Sequence, residues 1–332
     1  MKKIIVIQTA FPGDVILATP VFEALKDMAP GCFLAAVIRP ESYPLLKDNP
    51  HIDDILIYNK YGNERGLKGI IRISRLIRDY DWAVIIQRYL RSALIAYLAG
   101  IKRRTGFGSS GFRFLYTEKK PYHENRHEVL RCLDLTGVAE AGKYRPRIFI
   151  MDKARKKTDK LLSDSGIRNS FAVVAPGSVW ATKRYPHFAE LIDLVKEEFG
   201  LEVILLGGAD DIEVSKSVVN NSRHKPFDLT GKTDLLVSAG IISRSRITFT
   251  NDSAPAHMAA AVETPVVAIF GPTIPEFGFS PYSEKTRVVD NGKLYCRPCS
   301  RHGSKKCPQR HFRCMMDLLP EKVIKAARPL IA

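Results

Sequence analysis

Four short segments of the 332-residue chain put residues able to move a proton or grip an anion directly after apolar runs. The first, Gln8-Thr-Ala-Phe-Pro-Gly13-Asp14-Val-Ile-Leu-Ala-Thr19-Pro20, follows Ile4 to Ile7. A strand that runs through a glycine turn into a helix leaves backbone N–H groups without helical partners, and these suit a polar or anionic ligand. Asp14 stands there either as a proton acceptor or as an ordinary helix cap, since the residue type serves both. This turn lacks the G-x-G-x-x-G fingerprint, which removes the main support for a dinucleotide-dependent enzyme.

The second segment, Ala175-Pro-Gly-Ser178-Val-Trp-Ala-Thr182-Lys183-Arg184-Tyr-Pro186, follows Phe171 to Val174. A hydroxyl and two cations in one loop fit a diphosphate, lysine as a movable point charge and arginine as a fork; a solvated loop has the same composition. In Gly207-Gly208-Ala209-Asp210 the carboxylate suits a ribose diol, or simply caps the next helix. Asn251-Asp252-Ser253-Ala254-Pro255-Ala256-His257 leads from a strand into a helix of small residues. Its polar side chains either cap that helix or frame an anion at its N-terminus, and His257 either faces the ligand or packs in the core.

Four of the six cysteines fall in Cys296-x2-Cys299-x7-Cys307-x6-Cys314. Such clustering in a reducing compartment suggests metal or redox chemistry, although the two paired knuckles of a zinc ribbon are missing. The alternative is a set of free thiols in an irregular loop with a basic rim that includes Arg297 and Arg301. The formal charge of +16 favours polyanionic partners, but the basic residues lack the aromatic interleaving of an RNA-binding sheet, so nucleic acid is not expected.

These segments need elements to hold them. Hydrophobic residues at 45% and charged residues at 26% describe an ordinary folded protein, and the length suits two domains. Short apolar runs alternate with amphipathic stretches, pause in the Lys-rich region near 151–165, and resume at Phe171, the rhythm of βαβ units around two parallel sheets. The expected division is 1–165, 166–316 and a terminal helix within 317–332, possible partner of the first domain. The longest apolar stretch, Ala93 to Ile101, is about half of the ~20 residues that span a bilayer, and the run after Met1 is too short for a secretion signal. A cytoplasmic location is expected.

Taken in order, the segments resemble the bacterial lipopolysaccharide heptosyltransferases, glycosyltransferase family nine, and their second-heptose-like subgroup through the Cys-rich insert. The resemblance rests also on Gln87-Arg88-Tyr-Leu-Arg91-Ser92, Arg104-Thr-Gly-Phe107 and Phe270-Gly-Pro272. It implies an α/β GT-B architecture, two Rossmann-like doubly wound domains facing a central cleft, and an inverting transfer of heptose from ADP-L-glycero-D-manno-heptose to the inner core of lipopolysaccharide. No cofactor is implied. The carry-over makes Asp14 the base; Ser178 and Lys183 the diphosphate grip, with Lys183 assisting catalysis; Asp210 a ribose contact; Asp252, Ser253 and His257 the remaining donor contacts; and Arg88 and Arg91 acceptor residues. A metal at Cys296, Cys299, Cys307 and Cys314 is left open. The implied partners are an ADP-sugar, a lipid-linked core oligosaccharide and, peripherally, the inner face of the inner membrane. A nucleotide-sugar epimerase or hydrolase on the same fold, or a non-catalytic polyanion binder, are the rival readings. One position departs from the family: Ala254 stands where glycine is usual.

Overall fold

The computed structural model describes residues 1–167 and 170–331, divided into two compact units, Met1–Phe149 and Ile150–Ala332. The first is built on β1 (Lys3–Ile7), β2 (Phe33–Ile38), β3 (Asp54–Ile57), β4 (Trp82–Ile85), β5 (Arg103–Phe107) and β6 (Glu118–Lys120). The second is built on β7 (Phe171–Ala175), β8 (Glu202–Leu205), β9 (Phe227–Asp228), β10 (Ile247–Asn251), β11 (Val266–Phe270) and β12 (Thr286–Asp290). The sheet orders are β3-β2-β1-β4-β5-β6 and β12-β11-β10-β7-β8-β9, and every pairing is parallel. Numbered from its own first strand, each unit has the same Rossmann order, with its switch point between the first and fourth strands.

The unbroken apolar runs exist because both faces of each sheet are covered. In the first sheet Ile4, Val6, Leu34 and Ala36 face Val15, Phe22 and Leu25 of the helices Pro12–Ala18 and Pro20–Met28. The alternate residues Ile5, Ile7, Ala35 and Val37 face Ile70 and Ile73 of helix Leu67–Leu76 and Ala93, Ile95 and Ala96 of helix Leu90–Leu98. Each fully buried isoleucine contributes about 1.5–3 kcal/mol relative to exposure. The second sheet is filled by Val174, Leu205, Phe249 and Ile269 against Phe188, Leu191 and Val195 of helix Phe188–Phe199.

The two compact units meet at 149/150, where 165/166 is expected, because the Lys-rich stretch is helix Asp152–Asp164, which buries Ala154 and Thr158 and packs on helix Leu235–Arg244. The terminal helix, Pro320–Ile331, places Val323, Ile324 and Ala327 in the core of the second unit, beside helix Phe188–Phe199; Ala332 lies outside the described residues. The strands that the pattern missed are edge or polar strands. β6 reads Glu-Lys-Lys, and its Glu118 takes two hydrogen bonds from Arg103 at 2.8 and 3.1 Å.

Candidate active site

In the first unit the carboxyl ends of β1 and β4 are tied together. The Thr9 hydroxyl donates to Gln87 Oε1 at 2.5 Å, and Ser92 of helix Leu90–Leu98 donates to the same oxygen at 3.2 Å. Asp14, half-buried, is the third residue of helix Pro12–Ala18, and its Oδ2 accepts the Phe11 N–H at 3.2 Å. The carboxylate therefore closes its own helix start, while the turn carries it at the sheet's switch point. Arg88 lays its guanidinium 4.0 Å over the Tyr122 ring, and Arg91 occupies the first turn of helix Leu90–Leu98.

The structure adds a cation that no motif marked. Lys60, just beyond β3, is buried and donates from Nζ to the Thr9 carbonyl at 2.6 Å. Burial, then the nearby Arg39 and Arg91, push its ammonium down to about 8. Arg39 in turn lies 5.5 Å from the Phe11 ring and 4.8 Å from the Tyr61 ring. Three cations against one carboxylate, Glu41, which pairs with Arg39 at 2.7 Å, leave this strand end a place where an anion is favoured. The sequence gives no local signal for this, because Lys60 sits in a polar loop and only tertiary burial sets it apart. A G-x-G-x-x-G string does occur at Gly106–Gly111, but it follows β5 and leads into the single turn Arg113–Leu115, not a helix N-terminus.

In the second unit Ser178, Lys183, Asp252 and Ser253 gather at the β7/β10 switch point. Lys183 is buried, and its Nζ meets Asp252 Oδ2 at 2.5 Å and the Asp252 carbonyl at 3.2 Å. The Thr273 hydroxyl donates to that same Oδ2 at 2.7 Å. An anion arriving here meets an ion pair whose separation leaves a charge without compensation, so the pair fixes the lysine firmly. Asn251, expected to cap the helix or frame an anion, instead uses its whole amide on the backbone. Nδ2 donates to the carbonyls of Pro176 and Gly177 at 2.8 and 3.2 Å, and Oδ1 accepts the Tyr185 N–H at 3.0 Å. Ser178 Oγ accepts the Trp180 N–H at 3.3 Å, and Arg184 Nε donates to the Ser178 carbonyl at 2.9 Å. Arg184 thus shapes the loop.

Asp210 stands apart, exposed in the one-turn helix Ala209–Asp211 after β8. Its neighbour Asp211 is the structural carboxylate, accepting the Gly208 N–H at 3.0 Å. It presses so closely on Gly177 that a Cβ there would lie 2.1 Å from its carboxyl carbon. Ser253 is the N-cap of helix Ala254–Ala261 and His257 is buried on its second turn. Ala254 is the first helical residue, where a methyl group imposes no backbone strain.

The Cys-rich segment closes over this loop. Arg297, expected on a solvated rim, has a side chain only 4% exposed. It bonds Asp290 Oδ2 at 2.8 Å, the Thr273 carbonyl at 2.8 and 3.2 Å, and the Gly292 carbonyl at 2.8 Å. Burial acts to raise the Asp290 carboxyl, yet Arg297 and the Gly292 N–H hold it below the usual carboxylate range. Farther along, Thr182 Oγ1 donates to the Ser304 carbonyl at 2.9 Å and accepts the Ser304 N–H at 2.8 Å. Gly303, at φ +89°, passes so near that a Cβ would lie 3.2 Å from Lys183 Cγ. Of the thiols, Cys314 enters the core, where burial pushes it up to about 11, and Cys299 donates to the Cys296 carbonyl at 3.2 Å. Cys296 Sγ lies 3.8 Å from His311 Nε2. Among the described residues no three His, Cys, Asp or Glu side chains are grouped closely enough to hold a metal ion.

A profile of glycosyltransferase family 9 (heptosyltransferase) matches residues 71–309. Lipopolysaccharide heptosyltransferase 2 of Salmonella typhimurium is 27% identical over 355 residues, covering 99% of each chain. The solved family 9 glycosyl transferase of Veillonella parvula is 26% identical with a TM-score of 0.90, covering 99% of this chain and 97% of its own. ADP-heptose lps heptosyltransferase II of E. coli shares the fold, at 23% identity and a TM-score of 0.77, over 100% of this chain and 98% of its own. With that profile matched over most of its length, this chain belongs to glycosyltransferase family 9 and is a heptose-transferring glycosyltransferase.

Proposed function

We propose that the chain transfers heptose from ADP-L-glycero-D-manno-heptose to the inner core of lipopolysaccharide, with inversion. The acceptor oxygen forms its bond to the anomeric carbon as the bond to ADP breaks; the hydroxyl proton passes to Asp14 and the electron pair leaves with the diphosphate. Lys183 and Ser178 receive that diphosphate, Asp210 the ribose, and Asp252, Ser253 and His257 the rest of the donor. Arg88 and Arg91 meet phosphates of the acceptor. The observation that carries this reading is the buried Lys183–Asp252 pair at the second switch point, because a fixed cation beside a helix start is what a leaving diphosphate needs. The heptosyltransferase 2 relatives, matched along their full length, support the choice of sugar and acceptor.

The acceptor being lipid-linked, the enzyme works in the cytoplasm against the inner face of the inner membrane; among the described residues no helix is long and apolar enough to cross it. Incubation with ADP-heptose and a heptose-deficient core lipid should yield a product heavier by one heptose. Turnover of donor without acceptor would instead favour an epimerase or hydrolase. In the same assay Asp14→Asn keeps an oxygen for the Phe11 N–H but cannot take the proton, so single-turnover transfer should fall by roughly 10² or more with an unchanged melting temperature. Near-normal transfer with a lowered melting temperature would reduce Asp14 to a helix cap.

A further inference from the structure

The stretch Ala93 to Ile101, too short to span a bilayer, forms most of helix Leu90–Leu98, whose outer side presents apolar side chains. Its inner residues Ala93, Ile95 and Ala96 are fully buried, yet Leu90, Tyr97 and Leu98 are 41–50% exposed. The adjoining turn Arg113–Leu115 packs on this helix and holds Phe114 at 72% exposure between buried Leu115 and half-buried Phe112. The turn is fixed at both ends. Ser110 Oγ donates to the Arg88 carbonyl at 3.0 Å, and the Arg104 guanidinium bonds the Leu115 carbonyl at 2.7 Å while lying 5.6 Å from the Tyr97 ring. Exposed apolar side chains on an ordered, contiguous surface mark a partner rather than a loose end.

The charge around them selects that partner. From Trp82 to Thr117 the chain has six Lys and Arg and no carboxylate, and helix Leu67–Leu76, packed alongside, has only basic charges; Glu118 pairs with Arg103 and Glu64 with Arg72, which leaves the balance of this face basic. We propose that this face, helix Leu90–Leu98 with the Phe114 turn, docks on an anionic lipid bilayer. Leucine and phenylalanine enter the headgroup–acyl boundary, Tyr97 sits at the interface, and the flanking Lys102 and Arg113 meet lipid phosphates. The inference rests on the reading that the acceptor is lipid-linked. It gives that reading a geometry, since the first turn of the docking helix carries Arg91 and Ser92, and Ser92 bonds the same Gln87 oxygen as Thr9.

The test is flotation of the full chain with vesicles of phosphatidylcholine alone or with 30% phosphatidylglycerol, at low and high salt, for the wild type and for Leu98→Glu/Phe114→Ser. Both changed residues are exposed, so the melting temperature should stay within about 2 °C. The wild type should float with the anionic vesicles, weaken with salt without full release, and exceed the double variant by roughly tenfold or more. Turnover of a delipidated core oligosaccharide should be equal in the two proteins, while turnover of vesicle-borne core lipid falls in the variant. Equal flotation of both proteins, or none by the wild type, overturns the proposal. So does a wild-type dimer that the variant abolishes without any vesicle binding, which would make the face a contact between copies. Failure to glycosylate even the delipidated core would count against the assigned reaction and leave the flotation result standing.

Discussion

Lys60 shows how one buried charge can carry information about a ligand. Its ammonium is held at about 8, well under the usual lysine value, by burial and then by Arg39 and Arg91. Between about pH 8 and the unfolded value near 10.4, the unfolded chain binds more protons at this residue than the native one, so the native state gains stability as pH rises through that window. Below it, the native protein retains a disfavoured cation, and an anionic acceptor group placed there would offset that cost. Acceptor binding should therefore weaken as pH climbs through 8, and Lys60→Met should flatten the pH dependence of acceptor KM between pH 7 and 9. The variant should be no less stable than wild type at pH 7, since it removes a strained charge. An unchanged pH profile in Lys60→Met would separate this lysine from the acceptor.

The Cys-rich segment behaves as a clamp, and Arg297 is its fastener. One guanidinium joins the end of β12, through Asp290, to the loop after β11, through the Thr273 carbonyl; Thr273 then holds Asp252, and Asp252 holds Lys183. Arg297→Met should leave the half-buried Asp290 carboxylate with the Gly292 N–H but without its cation, costing about 1–2 kcal/mol and roughly 2–8 °C in melting temperature. Because Lys183 would lose its framing but not its charge, the Kd for ADP should rise severalfold by calorimetry, more than kcat falls. Arg297→Lys should rescue little, having no fork to span both acceptors. None of this was legible beforehand: a string of Arg, Lys and His among cysteines reads as a solvated rim, and only the irregular path of residues 291–304 turns one arginine inward. By contrast, the central strands and the four site loops were legible, because apolar runs ending in Gly, Pro and Asp record burial on both sides followed by a turn. Edge strand β6 left no such record, as its side chains are polar and its stability comes from Arg103 and Thr105 bonding Glu118.

The two units repeat one winding order with different chemistry at equivalent positions, a carboxylate after β1 and an ion pair reached from β7 and β10. In the second, every contact described for Lys183, Asp252, Asn251 and Arg297 stays within Ile150–Ala332. Donor recognition should accordingly be separable from the rest: a fragment of residues 150–332 should unfold cooperatively and bind ADP within about threefold of the full chain, a difference of well under 1 kcal/mol. The position of its first residue decides whether it folds. Helix Asp152–Asp164 buries Ala154 and Thr158 and is tied to helix Leu235–Arg244 and its N-cap through Asp159–Arg244 at 3.0 Å and Lys157–Asp234 at 3.8 Å. Those exposed ion pairs contribute little, so the loss on truncation comes mainly from uncovering the side of Leu235–Arg244 where Gly240 lies against Thr158, with buried Leu236 and Val237 one turn before it. A fragment starting at residue 166 should melt at least about 10 °C lower than one starting at 150, corresponding to roughly 3 kcal/mol. Differential scanning calorimetry of the two fragments decides between the boundaries: equal melting temperatures would return the division to 165/166 and make the Lys-rich helix a linker, whereas loss of ADP binding in a well-folded 150–332 fragment would show that donor recognition needs residues of the first unit.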